Sequence, residues 1–244
     1  ASAVAELIDD ETCAILVEPI QGEGGVCLPP DGFLADLRRM ADDHQLLLMF
    51  DEVQTGCGRT GNWFAYQHFD VVPDVITLAK AICGGIAGGA LLTTAEIAPS
   101  LRPGMHAATF GGNPIASVAG IATIEVIEEE GLLANAAAMG SKLAEGLNHL
   151  KTTHAIVGDV RGKGLMQAIE LVNDPESKEP APLAMNALLE ATRERGLLIG
   201  KGGLSGNTVR LSPPLNINKA DVDTAIDILD RSLSDVAKTI PVNA

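Results

Sequence analysis

The sequence predicts an α/β protein in which the first part of the chain forms a mostly parallel sheet. Short continuous apolar runs alternate with amphipathic segments through the first half. Such runs are typical of strands that are buried on both faces of a parallel sheet. The charge is uneven, because residues 1–130 hold 5 basic and 19 acidic residues (net −14) and residues 131–244 hold 12 and 13 (net −1). This change in net charge along the chain predicts two domains, 1–130 and 131–244.

Each element of the first domain has a local signal. Four apolar runs predict strands, at residues 13–17, 46–50, 75–78 and 90–93. Between the first two runs, residues 31–44 predict a helix, because apolar side chains recur at helical spacing and Asp31 can cap the start. Asn113 and Pro114 predict the start of a long helix that ends by residue 130, since proline is tolerated in a first helical turn.

The second domain has the mixed pattern of a smaller α+β fold. Helices are predicted at residues 132–150, 182–195 and 218–234. Strands are predicted at residues 197–199 and 209–211, and two more lie within 157–171, around a glycine-rich turn at 161–164.

The composition excludes several classes of function. A formal net charge of −15 repels phosphate backbones, so we expect no nucleic-acid partner. No run approaches the roughly 18 apolar residues of a membrane helix, and the start has no signal-peptide pattern, so we expect a cytoplasmic protein without a membrane partner. Cys13, Cys27, Cys57 and Cys83 show no C-x-x-C spacing and no clustered histidines, which predicts reduced thiols and no metal site.

Asp51 and Lys80 are the first candidates for chemistry. Asp51 follows an apolar strand directly, where α/β proteins place ligands, although a capping or core-edge carboxylate would look the same. Lys80 follows the third predicted strand and precedes two glycine pairs, so we expect a partly desolvated amine suited to Schiff-base chemistry; a surface lysine is the alternative. An amine for an aldehyde and an anion for a pyridine nitrogen together match the needs of pyridoxal phosphate.

Four motifs extend this interpretation. In order along the chain, they are residues 18–25 (EPIQGEGG), 51–61 (DEVQTGCGRTG), 73–80 (PDVITLAK) and 109–114 (TFGGNP). Their order and spacing resemble those of class III (ω-amino) pyridoxal-phosphate-dependent aminotransferases, and within that class the acetylornithine aminotransferases most. The resemblance implies fold type I of the pyridoxal-phosphate enzymes. Residues 1–130 would be the later part of the large domain and 131–244 the small C-terminal domain, so we expect a fragment of a longer protein.

The resemblance implies a cofactor-binding set of Asp51, Glu52, Val53, Gln54, Lys80 and Thr109. Lys80 would bond to the cofactor aldehyde and move the substrate proton. Asp51 would hold the pyridinium nitrogen, Val53 would pack on the ring face, and Gln54 would bond to the phenolic oxygen. Thr109 would bind the cofactor phosphate of the neighbouring subunit, which implies a homodimer.

The resemblance also implies three substrate-binding residues. Arg210 would clamp a substrate carboxylate, for which its planar fork is suited. Glu23 would pair with this arginine while an ω-amine donor is bound and release it for 2-oxoglutarate. Ala108 stands where the family commonly has a serine, which removes a hydroxyl from the site. From the residues alone, a surface ion pair for Arg210 and a solvated carboxylate for Glu23 remain open.

The implied reaction moves the ω-amino group of N-acetylornithine, or of an ornithine-like donor, to 2-oxoglutarate and gives glutamate, in arginine biosynthesis. Two alternatives stay open. The first is another class III enzyme: an ornithine, 4-aminobutyrate or alanine–glyoxylate aminotransferase, a decarboxylase or an aminomutase. The second is an inactive fragment, because the family's phosphate loop, its ring-stacking aromatic residue and its donor-binding arginine have no match in this sequence.

Overall fold

The chain divides into two units with one sheet each in the computed structural model, which describes residues 1–240. The first unit comprises Ala1–Ile20, Pro29–Gly58 and Asn62–Gly131, and the second comprises Gln21–Leu28, Arg59–Gly61 and the chain from Leu132 onward. The main boundary between the two units falls after Gly131, one residue later than the predicted boundary between the two domains. Two short segments of the predicted first domain belong to the second unit, and residues 241–244 of the predicted second domain lie outside the described residues.

The sheet of the first unit has the strand order β1-β2-β3-β4. The strands are β1 (Ala14–Val17), β2 (Leu47–Asp51), β3 (Val75–Leu78) and β4 (Ala90–Thr93). The first three strands are parallel and β4 runs antiparallel to β3. The four predicted strands are therefore confirmed to within one residue.

Three helices belong to this unit: α1 (Ser2–Ala5), α2 (Phe33–Asp43) and α3 (Pro114–Glu129). The apolar face of α2 packs with β1 and β2 in one buried cluster. The prediction that Asp31 caps α2 is wrong, because Gly32 occupies the cap position with a φ of 78° and no side chain caps the helix. Glycine adopts this left-handed conformation without steric cost.

Apolar side chains of the first unit are exposed on the two edge strands of its sheet and on α3. Leu16 of β1 is 63% exposed and Leu91 of β4 is 50% exposed. The helix α3 begins as predicted, with the Asn113 side chain accepting from the Ala116 N–H at 2.9 Å, yet it also exposes apolar side chains. These are Ile115, Val118, Ile121, Ile124 and Val126. The expectation of strands buried on both faces is therefore wrong for the edge strands β1 and β4 within the described residues.

The second unit carries an antiparallel sheet with the order β5-β6-β8-β7. The strands are β5 (Val157–Lys163), β6 (Met166–Leu171), β7 (Gly200–Gly202) and β8 (Thr208–Leu211). Three helices, α4 (Leu132–Thr153), α5 (Pro182–Glu194) and α6 (Lys219–Thr239), share one apolar core with this sheet. The three predicted helices are confirmed, as is the strand at 209–211.

Two details of the second unit differ from the prediction. Residues 197–199 are not a strand, because the Leu197 N–H returns to the Thr192 carbonyl at 2.9 Å and completes the end of α5. The strand instead lies at Gly200–Gly202, a segment that has no apolar side chains and therefore does not show the sequence pattern of a strand. The glycine-rich residues 161–163 lie inside β5, and the turn begins at Gly164.

Within residues 1–240, none of the helices combines the length and the apolar composition needed to span a bilayer. The same residues contain no group of three or more His, Cys, Asp or Glu side chains placed to hold a metal ion.

Candidate active site

The carboxyl ends of β2 and β3 place Asp51 and Lys80 at one edge of the first sheet. Asp51 is the last residue of β2 and is in register with Thr77 of β3, three residues before Lys80. The Glu52 N–H donates to the Thr77 carbonyl at 3.0 Å and continues the strand pairing past Asp51. This edge of a parallel sheet is where α/β proteins bind ligands.

Asp51 is half-buried and is oriented by the loop that follows it. The Val53 N–H donates to Asp51 Oδ1 at 2.9 Å. Among residues 1–240, Asp51 Oδ2 has no hydrogen-bond partner. A carboxylate held at one oxygen keeps the other available to accept from a protonated ring nitrogen. Val53 and Gln54, which come next, are also half-buried.

Lys80 has a left-handed backbone with a φ of 49° and begins the 3₁₀ turn Lys80–Cys83. Such a conformation costs a non-glycine residue about 1–3 kcal/mol and is concentrated at functional sites. The side chain is exposed, so the expectation of partial desolvation is wrong within the described residues. The glycines after it have no side chains that could cover the amine. Lys80 Nζ forms no hydrogen bond or ion pair with residues 1–240.

Glu52 turns away from this edge and into the first unit. Its side chain is buried, and its carboxylate accepts from Thr55 Oγ1 and from the N–H groups of Ala65 and Tyr66, both at 2.9 Å. Burial raises the pKa of Glu52, and these three hydrogen bonds offset only part of that effect. The carboxylate oxygens of Glu52 thus bind the protein's own loop, and the predicted place of Glu52 in the cofactor-binding set stays a prediction.

Thr109 and Ala108 lie in an exposed stretch between β4 and α3. The Gly111 N–H donates to the Ala108 carbonyl at 3.0 Å, which forms a local turn. No hydrogen bond among residues 1–240 joins Thr109 or Ala108 to Asp51 or Lys80. Their predicted roles at the cofactor and the substrate stay predictions.

Arg210 and Glu23 form an ion pair within the second unit. Arg210 Nη1 lies 2.7 Å from Glu23 Oε2, and the two side chains are 22% and 72% exposed. Because the Glu23 carboxylate is largely exposed, water can replace the arginine as its partner when the pair opens. The guanidinium is shielded by the protein while the carboxylate faces solvent.

Two further arginines, which no sequence motif marks as functional, hold loops of the second unit. Arg161 Nε donates to the Gly25 carbonyl at 2.9 Å. Arg59 Nη1 donates to the Pro213 carbonyl at 2.5 Å. Burial lowers the pKa of Arg59. More than 100 residues separate each arginine from its acceptor, so no local sequence motif predicts either contact.

The sequence matches the aminotransferase class-III family over residues 1–233. The chain belongs to this family. A leucine/methionine racemase of Thermococcus litoralis is 44% identical over 231 residues, covering 95% of this chain and 52% of that protein. An acetylornithine aminotransferase of Methanothermobacter thermautotrophicus is 44% identical over 234 residues, covering 96% of this chain and 57% of that protein. The chain thus spans about half the length of these family members.

Solved structures of transaminases share the fold. A transaminase from the marine bacterium Virgibacillus aligns with a TM-score of 0.91 at 32% identity, over 98% of this chain and 56% of its own. An amine transaminase from an uncultivated Pseudomonas species, in its PLP-bound form, aligns with a TM-score of 0.89 at 35% identity, over 96% of this chain and 55% of its own. The predicted α/β fold of pyridoxal-phosphate-dependent transferases is confirmed.

Family membership indicates pyridoxal phosphate as the cofactor. The residues at the sheet edge fit this group. Lys80 offers an amine without a partner among residues 1–240, and Asp51 offers an oriented carboxylate with one oxygen available.

Proposed function

We propose that the protein is a pyridoxal-phosphate-dependent aminotransferase. It would move the ω-amino group of N-acetylornithine, or of an ornithine-like donor, to 2-oxoglutarate and give glutamate, in arginine biosynthesis. The main support for the proposal is the placement of Asp51 and Lys80 at one sheet edge, because it provides both the carboxylate and the amine that pyridoxal phosphate requires. The identity to acetylornithine aminotransferases, 44% and 41% for two of them, supports the choice of donor.

Residues of the first unit would hold the cofactor and move the proton. When bound, the cofactor accepts the electron pair left on the substrate carbon after its proton is removed. Lys80 Nζ would hold the cofactor at its aldehyde carbon and would carry the proton to and from the substrate carbon. Asp51 Oδ2 would accept from the ring nitrogen and keep it protonated. Val53 and Gln54 would contact the ring face and its phenolic oxygen.

Arg210 would bind the distal carboxylate of 2-oxoglutarate. Glu23 would occupy the arginine while a donor without that carboxylate is bound, and the ion pair of 2.7 Å between them supports this exchange. Ala108 would present a methyl group to the substrate. Thr109 would bind the cofactor phosphate of the neighbouring subunit in a homodimer. These last two roles rest on the family resemblance, and a cytoplasmic location belongs to the same proposal.

The test is covalent labelling of the chain. The protein is mixed with pyridoxal phosphate, its absorbance is recorded, the adduct is fixed with borohydride, and the modified peptide is identified by mass spectrometry. We expect the label on Lys80 and its loss in Lys80→Ala. Lys201→Ala is the matched control, because Lys201 also lies in a glycine-rich segment and is exposed. Absence of label from Lys80 in protein shown to be folded by circular dichroism would refute the proposal.

A racemase is the second candidate, favoured by the 44% identity to a leucine/methionine racemase. Racemisation would return the proton to the opposite face of the same carbon and needs no second substrate. The Arg210–Glu23 pair favours transamination, since an arginine that can change partners suits a site that takes in turn a donor without a distal carboxylate and an acceptor with one. Assays of amino acids with and without a keto acid separate the two reactions. If product forms without the keto acid, the proposal of transamination gives way to racemisation or to another single-substrate reaction of the family.

A further inference from the structure

The side chain of Arg210 lies diagonally across a strand that contains two glycines. In the pairing of β7 with β8, Gly200 is opposite Arg210 and Gly202 is opposite Thr208. Residues two apart in a strand share a face of the sheet, so both glycines lie on the face of Arg210. A Cβ atom at Gly202 would be 2.7 Å from both Cδ and Nε of Arg210. This separation is too short for any carbon atom to fit, so the arginine uses the space that the glycine leaves.

The backbone of Gly202 does not itself require glycine. Its φ lies outside the left-handed region, so alanine is sterically compatible with the backbone there. Gly200 provides a comparison within the same strand, because a Cβ there would meet the Arg210 carbonyl oxygen at 3.3 Å and Arg210 Cβ at 3.5 Å. To accept a methyl group at these distances, the neighbouring atoms of Arg210 would have to move by a few tenths of an ångström at most. The shortest contacts that a Cβ at 202 would make are therefore with the arginine side chain.

The main chain beside Glu23 is fixed to the same hairpin. The Gly203 N–H donates to the Glu23 carbonyl at 3.0 Å. A Cβ at Gly202 would lie 3.2 Å from that carbonyl oxygen. Two residues further on, Arg161 holds the Gly25 carbonyl. Gly202 thus lies beneath both members of the ion pair, in contact with the stem of one and the main chain of the other.

We propose that Gly202 is a positioning residue that sets the acceptor specificity of the enzyme by letting Arg210 lie flat across β7. This inference rests on the proposed role of Arg210 as the binder of a second carboxylate. A methyl group at 202 would lift the guanidinium from Glu23 and from the position where it meets that carboxylate. Substrates with a second carboxylate would lose a charge-assisted hydrogen bond, and monocarboxylate substrates would lose nothing.

The test compares Gly202→Ala with Gly200→Ala in the cofactor-loaded protein. Hydrogen bonds to charged groups contribute about 1.5–3 kcal/mol, so we expect the KM for 2-oxoglutarate to rise about tenfold or more in Gly202→Ala. The kcat and the KM for pyruvate, which has no second carboxylate, should stay within about twofold. Gly200→Ala should leave both keto acids within about twofold. A crystal structure of Gly202→Ala should show the guanidinium moved away from Glu23.

Glutarate binding, measured by calorimetry, separates this inference from the proposed function because it needs no turnover. Weaker glutarate binding in Gly202→Ala, without transamination by any variant, would support the positioning role and refute the activity. An Arg210–Glu23 pair unchanged in Gly202→Ala would overturn the inference. Equal losses for 2-oxoglutarate and pyruvate, or equal losses in Gly200→Ala, would overturn it as well.

Discussion

The replacement of Gly140 by alanine tests the close approach of α4 to the turn between β5 and β6. Gly140 lies in α4, and a Cβ there would be 2.3 Å from the carbonyl carbon of Gly164 and 2.5 Å from its Cα. Gly164 begins the turn between β5 and β6 with a φ of 54°, and a Cβ there would be 2.4 Å from the carbonyl carbon of Thr60. Three main-chain segments therefore approach one another where side chains would keep them apart.

The expected loss of stability follows from two opposed effects. Alanine is favoured over glycine inside a helix by about 1 kcal/mol. Overpacking costs about 1–3 kcal/mol, and the upper part of that range applies because the atoms that must move belong to the main chain. We therefore expect Gly140→Ala to lower the free energy of unfolding by about 1–2 kcal/mol.

Gly146 in the same helix provides the matched control. A Cβ at Gly146 would meet Cγ1 and Cδ1 of Ile226 at 2.7 and 2.8 Å, atoms of a side chain, which can shift more readily than the main chain. The gain in helix propensity should then offset the packing cost, so we expect Gly146→Ala to stay within about 1 kcal/mol of wild type. Urea unfolding followed by circular dichroism measures both variants. A Gly140→Ala chain as stable as Gly146→Ala, with unchanged slope, would refute the packing argument.

Two further predictions concern charged groups. Glu52→Ala removes the acceptor of two main-chain N–H groups, so hydrogen exchange at those amides should accelerate about tenfold or more; exchange as slow as in the exposed-site control Glu6→Ala would contradict this role. Burial opposes the ionisation of Asp159, but hydrogen bonds from Lys151 and Arg161 outweigh it and lower its pKa. Stability from this carboxylate is thus present above the ordinary Asp pKa and is lost as the pH falls through the lowered one. Asp159→Asn should be less stable than wild type at neutral pH and should approach it in acid unfolding curves; a difference that is independent of pH would count against the ion pairs.

The strands of the first unit and the edge that carries Asp51 and Lys80 could be predicted because their signals are local. An apolar run of four or five residues defines each strand, and parallel strands bring their carboxyl ends to one edge. The start of α3 was equally accessible, since Asn113 and Pro114 form a cap within three residues.

The features that could not be predicted from the sequence depend on contacts between residues that are distant along the chain. The strand Gly200–Gly202 has no apolar residue, and it forms because it pairs with β8 and makes room for Arg210. Glu52 carries the same sequence signal as its neighbour Asp51, but its partners at Ala65 and Tyr66 come from a turn 13 and 14 residues away. The assignment of residues 21–28 and 59–61 to the second unit likewise depends on partners that no local pattern reveals.

The fixed main chain beside Glu23 has a consequence for the speed of substrate exchange. Because the Glu23 and Gly25 carbonyls are held in place, the exposed carboxylate can leave Arg210 by rotation about its own side-chain bonds. Rotamer changes of exposed side chains take picoseconds to nanoseconds, whereas loop movements take nanoseconds to microseconds. Both are far faster than a typical enzyme turnover of about 10 per second. The arginine would therefore be at equilibrium between its partners throughout each cycle, and the relative affinities of carboxylates for it, not the time it takes to become available, would decide which substrate is chosen.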